Sequence, residues 1–121
     1  MTEKIFGIHA VQAVLSRSPE RVKNLYVQNG RADKRLQEVL SLASSSSIAV
    51  VQRPREELDK MVEGRHQGVI AQVEPAPEFR EKDLPDLVAA AGSAALILVL
   101  DGITDPHNLG ACLRSADAAG V

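Results

Sequence analysis

Leu96-Ile97-Leu98-Val99-Leu100-Asp101-Gly102-Ile103-Thr104-Asp105-Pro106-His107-Asn108-Leu109-Gly110-Ala111-Cys112-Leu113-Arg114-Ser115-Ala116 is the stretch where hydrophobic pattern, turn chemistry and polar side chains converge. Its first five residues are aliphatic with no polar alternation, the pattern of a strand buried on both faces inside a parallel sheet. Asp101-Gly102 then turns the chain. Thr104 or Asp105 can accept a hydrogen bond from the first free amides of a helix, and Pro106 suits the first helical position, where its fixed φ is already helical and no N–H is needed. The helix is predicted over about residues 106–119. At about 100° per residue, Leu109, Cys112, Leu113, Ala116 and Gly120 share one apolar face, and His107, Gly110, Arg114 and Asp117 lie along another. A strand, a tight turn and a helix N-terminus make the usual mouth for a polar ligand at the carboxyl edge of an open α/β sheet.

Upstream, helix and strand signals alternate. Ile8, Val11, Val14 and Leu15 have helical spacing, ended by Ser16 to Pro19. Val22 to Val27 reads as a strand closed by Asn29-Gly30. Asp33 can cap a helix carrying Leu36, Val39, Leu40 and Ala43, which gives out in the serine run 44–47. Ile48 to Val51 is a second strand, Pro54 opens a short helix with Leu58, Met61 and Val62, and Val69 to Val73 is a third strand. This α-β-α-β-α-β order implies a small α/β sandwich with its own core over residues 1–73. Glu74-Pro75-Ala76-Pro77-Glu78 shifts the composition toward an extended connection, so residues 74–82 are expected to be a linker. Residues 83–121 then begin a second domain, with a short helix stopped by Gly92 that leads into the Leu96 strand.

Composition narrows the function classes. The chain has 121 residues, 45% of them apolar and 25% charged, which is ordinary globular material. No apolar run approaches the roughly 20 residues that span a bilayer, and the start has no signal-peptide pattern. The single cysteine, Cys112, excludes an internal disulfide and a multi-cysteine metal site, and a reducing cytoplasm is expected. Cys112 itself reads as a buried small hydrophobe. His9, His66 and His107 do not pair at metal-ligand spacing, so no metal is expected. No P-loop and no G-x-G-x-x-G fingerprint occurs.

The net charge of −2 hides an asymmetry. Residues 1–73 carry 11 Lys/Arg against 8 Asp/Glu, and residues 74–121 carry 3 against 8. The basic half is the better partner for a polyanion. Arg31, Lys34, Arg35, Arg53, Arg55 and Arg65 fall at its turns and helix starts, where cations can hold phosphates, or can form local ion pairs such as Arg35 with Glu38. Arg65-His66-Gln67-Gly68 offers donors and acceptors beside a glycine that allows close approach, or is a turn feeding an edge strand. His9, inside the first helix, is expected to be packed or capping. With two Phe, one Tyr and no Trp, recognition by shape and phosphate is favoured over base stacking. The RNA-contact set expected from these patterns is Arg31, Lys34, Arg35, Arg53, Arg65, His66 and Gln67. Arg114 can reach back toward Gly110 and His107, or pair with Asp117 at i+3.

At these residues a family resemblance enters. Asp101 to Ala116 resembles the first signature motif of the SpoU branch of the SPOUT RNA 2′-O-ribose methyltransferases. Ile5-Phe6-Gly7-Ile8-His9-Ala10-Val11 and His66-Gln67-Gly68 resemble the L30e-like RNA-binding domain that precedes the catalytic domain in bacterial large-subunit rRNA guanosine methyltransferases. The resemblance implies an L30e-like substrate-binding domain, a linker, and the first strand-turn-helix of an α/β-knot (SPOUT) methyltransferase domain. It implies methyl transfer from S-adenosylmethionine to a ribose hydroxyl of large-subunit rRNA by a homodimer, with Asn108 ordering the site and Arg114 catalytic. A guanidinium with a pKa above about 12 is a poor base, so orientation of phosphate and stabilisation of developing alkoxide suit Arg114 better. The family's later motifs lie beyond Val121. The chain is therefore expected to be an N-terminal portion, with the cofactor pocket beyond residue 121 and no activity alone. A stand-alone RNA-binding module, or part of a nucleotide-binding α/β enzyme, are the other readings of the same residues.

Overall fold

The computed structural model describes residues 1–121 and divides into two units, Met1–Pro77 and Glu78–Val121. In the first, the order is β1 (Glu3–Phe6), α1 (Ile8–Arg17), β2 (Val22–Gln28), α2 (Lys34–Ser45), β3 (Val50–Arg53), α3 (Arg55–Met61) and β4 (Val69–Val73). The second holds α4 (Leu84–Ala91) and α5 (Pro106–Ala119).

The four strands form one mixed sheet in the order β1-β4-β2-β3. β4 is antiparallel to both neighbours, with Ile5 opposite Ala71 and Leu25 opposite Ala71, and β2 runs parallel to β3 with Leu25 opposite Val50. Strand alternation sends Val69, Ala71 and Val73 of β4, with Leu25 and Val27 of β2, to one face. There they join Ile8, Val11, Val14 and Leu15 of α1 and Leu36, Val39 and Ala43 of α2 in a single buried core. Ile70 points the other way, toward the face covered by α3, whose Leu58 is also fully buried. Beyond α3 that face is polar: Gln72 Oε1 accepts from Asn24 Nδ2 at 3.0 Å, and Gln72 Nε2 donates to Thr2 Oγ1 at 3.1 Å.

Several expectations need correction. β1 was absent from the predicted alternation: its four residues, Glu-Lys-Ile-Phe, are half polar and become a strand only because β4 supplies the hydrogen-bonding edge. β3 starts at Val50 rather than Ile48, because Ile48 is used to pack against the core on the way in. The third predicted strand is not an edge; it is central, and nearly every residue in it is buried. His9 is exposed on α1, neither packed nor capping.

The strand expected over Leu96 to Leu100 does not form. Leu96 to Leu100 pairs with nothing and has no strand structure, and Val99 is 80% exposed. A strand exists only where a neighbour takes its N–H and C=O groups, and no second strand lies in this unit. The helix after it forms as read. Asp105 rather than Thr104 caps it, its Oδ1 accepting from the His107 N–H at 2.9 Å, and it ends at Gly120 in the left-handed conformation. Its apolar face is bare: Leu109 and Leu113 are exposed, and Cys112 is half-buried where burial was expected. No helix of the protein is long and apolar enough to cross a membrane.

Candidate nucleic-acid interface

The loop between α3 and β4 organises the basic end of the first unit. His66 is only 5% exposed, and both ring nitrogens are engaged. Nδ1 accepts from the Gly68 N–H at 2.9 Å, and Nε2 lies 2.8 Å from Asp59 Oδ1. An accepting Nδ1 leaves the proton on Nε2, so the neutral ring donates to Asp59. The His66 ring, expected from the sequence to meet RNA, is a clamp inside the loop. Gln67, held at φ 56, turns its Oε1 to accept the Ile8 N–H at 2.8 Å. It thereby caps α1, whose own N-cap, Gly7, has no side chain to do so.

Across the loop, the Arg31 guanidinium donates to the Gln67 carbonyl at 2.6 Å and to Asp33 Oδ2 at 2.9 Å. This is possible because residue 68 is glycine: a Cβ there would sit 2.7 Å from Arg31 Nη1, and the backbone is at φ 84. Asp33 in turn caps α2, its Oδ1 accepting from the Leu36 N–H at 3.0 Å. That amide, then the Arg31 and Arg35 charges, hold its carboxyl below the usual range. Arg31 and Gln67 are therefore already engaged by their own fold. Replacing Gln67 by alanine orphans the first amide of α1, and urea unfolding is expected to show a loss of about 1 kcal/mol. A change below a few tenths of that would show the cap to be idle.

Between α2 on one side and α3 with this loop on the other lies a cleft of about 570 Å³. Arg31, Lys34, Arg35, Arg55 and Arg65 line it, with Asp33 and Asp59 as its carboxylates. Lys34, Arg35 and Arg65 are exposed and make no hydrogen bond or salt bridge, so the expected Arg35–Glu38 pair does not form. No Phe, Tyr or Trp lines the cleft. Arg53, also in the set expected from the sequence, is not among the residues lining it; it is ion-paired with Glu57 Oε2 at 3.3 Å and donates to the Gln52 carbonyl. Pro54 separates the end of β3 from the start of α3, so Arg53 and Arg55 leave the chain on different elements. Arg55 lines the cleft and is absent from the RNA-contact set expected from the sequence. The periodicity of α3, which puts Arg55 and Asp59 one turn apart, was the signal available for it.

In the second unit, Arg114 Nη1 comes within 3.5 Å of where a Gly110 Cβ would stand, so the side chain does reach back one turn along α5. Asn108 is exposed on the first turn of that helix. No three His, Cys, Asp or Glu side chains gather into a group that could hold a metal.

The first unit is thus a four-stranded sheet packed against helices with a basic cleft, and comparison with known proteins gives its class. Residues 4–79 match the model of the RNA 2′-O ribose methyltransferase substrate-binding family, and the chain belongs to that family. More particularly, it is 52% identical over 119 residues to the 23S rRNA (guanosine-2′-O-)-methyltransferase RlmB of Pseudomonas putida, covering 98% of this chain and 48% of the relative. To the enzyme of that name from Escherichia coli K12 it is 52% identical over 122 residues, covering 100% and 50%. The chain spans about half the length of the curated relatives it matches. Among solved structures, the archaeal translation termination factor aRF1 aligns with 60% of this chain and 20% of its own, at 23% identity and a TM-score of 0.44.

Proposed function

We propose that the first unit is an L30e-like domain that binds large-subunit rRNA through the cleft. The observation that carries this is three exposed cations without a hydrogen bond or salt bridge, Lys34, Arg35 and Arg65, around one cleft of a chain that belongs to a substrate-binding family. With no Phe, Tyr or Trp in its lining and the His66 ring buried, the cleft reads phosphates and RNA shape. Residues 1–73 form the binding domain, 74–82 the linker, and 83–121 the beginning of the methyltransferase domain. In that domain Asn108 orders the active site, and Arg114 orients the phosphate and stabilises the developing 2′-alkoxide of a guanosine ribose. The methyl donor is S-adenosylmethionine, the enzyme is a cytoplasmic homodimer, and neither a membrane nor a metal is involved.

Residues 78–121 do not by themselves fit the cofactor. The cavity in this unit is lined by Leu84, Leu87, Val88, Ala91, Ala95, Leu96, Ile97, Leu98 and Val121, with no polar side chain to meet a carboxylate, a sulfonium or an adenine edge. The pocket therefore needs residues beyond 121, and this chain alone is inactive.

The test has two arms. Titration of a large-subunit rRNA transcript into this chain is expected to show log K falling linearly with log salt. Salt-independent or absent binding overturns the RNA-binding assignment. In an enzyme of the relatives' full length, Arg114→Ala is expected to abolish ribose methylation while rRNA affinity is kept; methylation at the unaltered rate overturns the role given to Arg114.

A further inference from the structure

Arg53 and Arg55 flank Pro54, and each has an acid four residues on, yet the two pairs differ. Arg53 Nε lies 3.3 Å from Glu57 Oε2, and Arg53 also donates to the Gln52 carbonyl, away from the cleft. Arg55 lines the cleft and is 71% exposed, and its Nε is 3.9 Å from Asp59 Oδ2, too far for a hydrogen bond. The reason lies in Asp59. Its other oxygen, Oδ1, is taken by the buried His66 ring at 2.8 Å, so the carboxylate cannot turn both oxygens to meet the guanidinium as a bidentate partner. Arg55 is left charged, loosely restrained, and with its N–H donors unspent.

The geometry points to Arg55 as a further phosphate contact for RNA, held back by an Asp59 carboxylate that His66 keeps in place. The assignment rests on the RNA-binding reading above and goes beyond it in naming both the contact and its restraint. A guanidinium presents paired donors that match two phosphate oxygens, which the long contact to Asp59 does not use. Asp59 is itself half exposed beside the cleft, so its charge opposes an approaching phosphate. His66 makes this opposition permanent, because leaving it would strand the buried Nε2–H. Asp59 is thus retained for the loop at a cost to RNA affinity.

The 121-residue chain and a large-subunit rRNA transcript, titrated over a series of KCl concentrations, test the assignment. One phosphate contact contributes about 0.9 to the log–log salt slope, so Arg55→Ala is expected to weaken binding about eightfold at about 0.1 M salt and to flatten the slope by about 0.9. Arg55→Lys keeps the slope, and Arg53→Ala leaves both affinity and slope unchanged. Asp59→Asn keeps an oxygen for the His66 N–H while removing the charge, and is expected to tighten binding severalfold. Melting temperatures within a degree or two of the parent are expected for both arginine variants, which separates a lost contact from a lost fold. Equal behaviour of Arg55→Ala and Arg53→Ala overturns the inference, as does a folded Asp59→Asn that fails to tighten. If the unaltered chain binds no transcript at any salt, the RNA-binding reading falls instead.

Discussion

Replacing Lys34, Arg35 and Arg65 together by alanine is expected to lower the affinity for a large-subunit rRNA transcript about 500-fold at about 0.1 M salt, and to flatten the log–log salt slope by about 2.7. The magnitude follows from three phosphate contacts, each releasing counterions equivalent to about eightfold at that salt. The fold is expected to survive, because none of the three side chains makes a hydrogen bond or salt bridge and all are exposed. Surface changes of this kind usually shift stability by no more than about 0.5 kcal/mol. Exchanging lysine for arginine and arginine for lysine at the same positions is expected to restore the slope, since slope counts charges rather than geometry. Filter binding across a salt series reads both quantities. An affinity within a few-fold of the parent would remove the cleft from the binding surface and leave the RNA to be held elsewhere on the chain.

The largest stability effect is expected at His66. Alanine there removes the acceptor of the buried Gly68 N–H, the partner of Asp59 Oδ1, and the volume of a ring that is almost wholly enclosed. An orphaned buried amide costs about 1–3 kcal/mol, and the cavity adds to it, so urea unfolding is expected to show a loss of about 2–4 kcal/mol. That is a large share of the roughly 5–15 kcal/mol that holds a domain of this size. Asparagine at 66 can place its Oδ1 where Nδ1 stood and keep the Gly68 bond while giving up Asp59, so His66→Asn is expected to recover about half the loss. A cost below about 1 kcal/mol for His66→Ala would show the ring to be a passenger. The consequence for RNA is indirect: Gln67 at φ 56 and Gly68 at φ 84 keep their conformation only while His66 and Arg31 brace them, and Arg65 leaves the chain from the same loop.

How far the sequence could be read varied with how local the cause was. α1, β2, α2 and β4 were legible because each has its own periodicity, and Asp33 and Asp105 because a cap acts within three residues. β1 was not, since Glu3 to Phe6 alternates too weakly to announce itself without the β4 edge. Leu96 to Leu100 failed in the opposite sense: strong aliphatic content, but no strand to pair with in its unit. At the candidate interface the basic residues were legible as a group and not individually. Arg53 and Arg55 look alike in the sequence, and only the turn at Pro54 sends the second into the cleft.

What the sequence determined by itself was therefore the set of elements with their own period or cap, the basic bias of residues 1–73, and the motif over Asp101 to Ala116. The tertiary structure decided the order of the strands, and it decided which polar residues face outward. His66 and Gln67 carry the donors and acceptors that suit a ligand. In the fold those groups are spent on Asp59, Gly68 and Ile8, residues up to 59 positions away. The physical reason is that a buried polar group must find its partner inside the protein, and that partner is set by which segments the sheet brings together. Lys34, Arg35 and Arg65, which the fold leaves exposed and without a hydrogen bond or salt bridge, are the cations we propose to meet RNA.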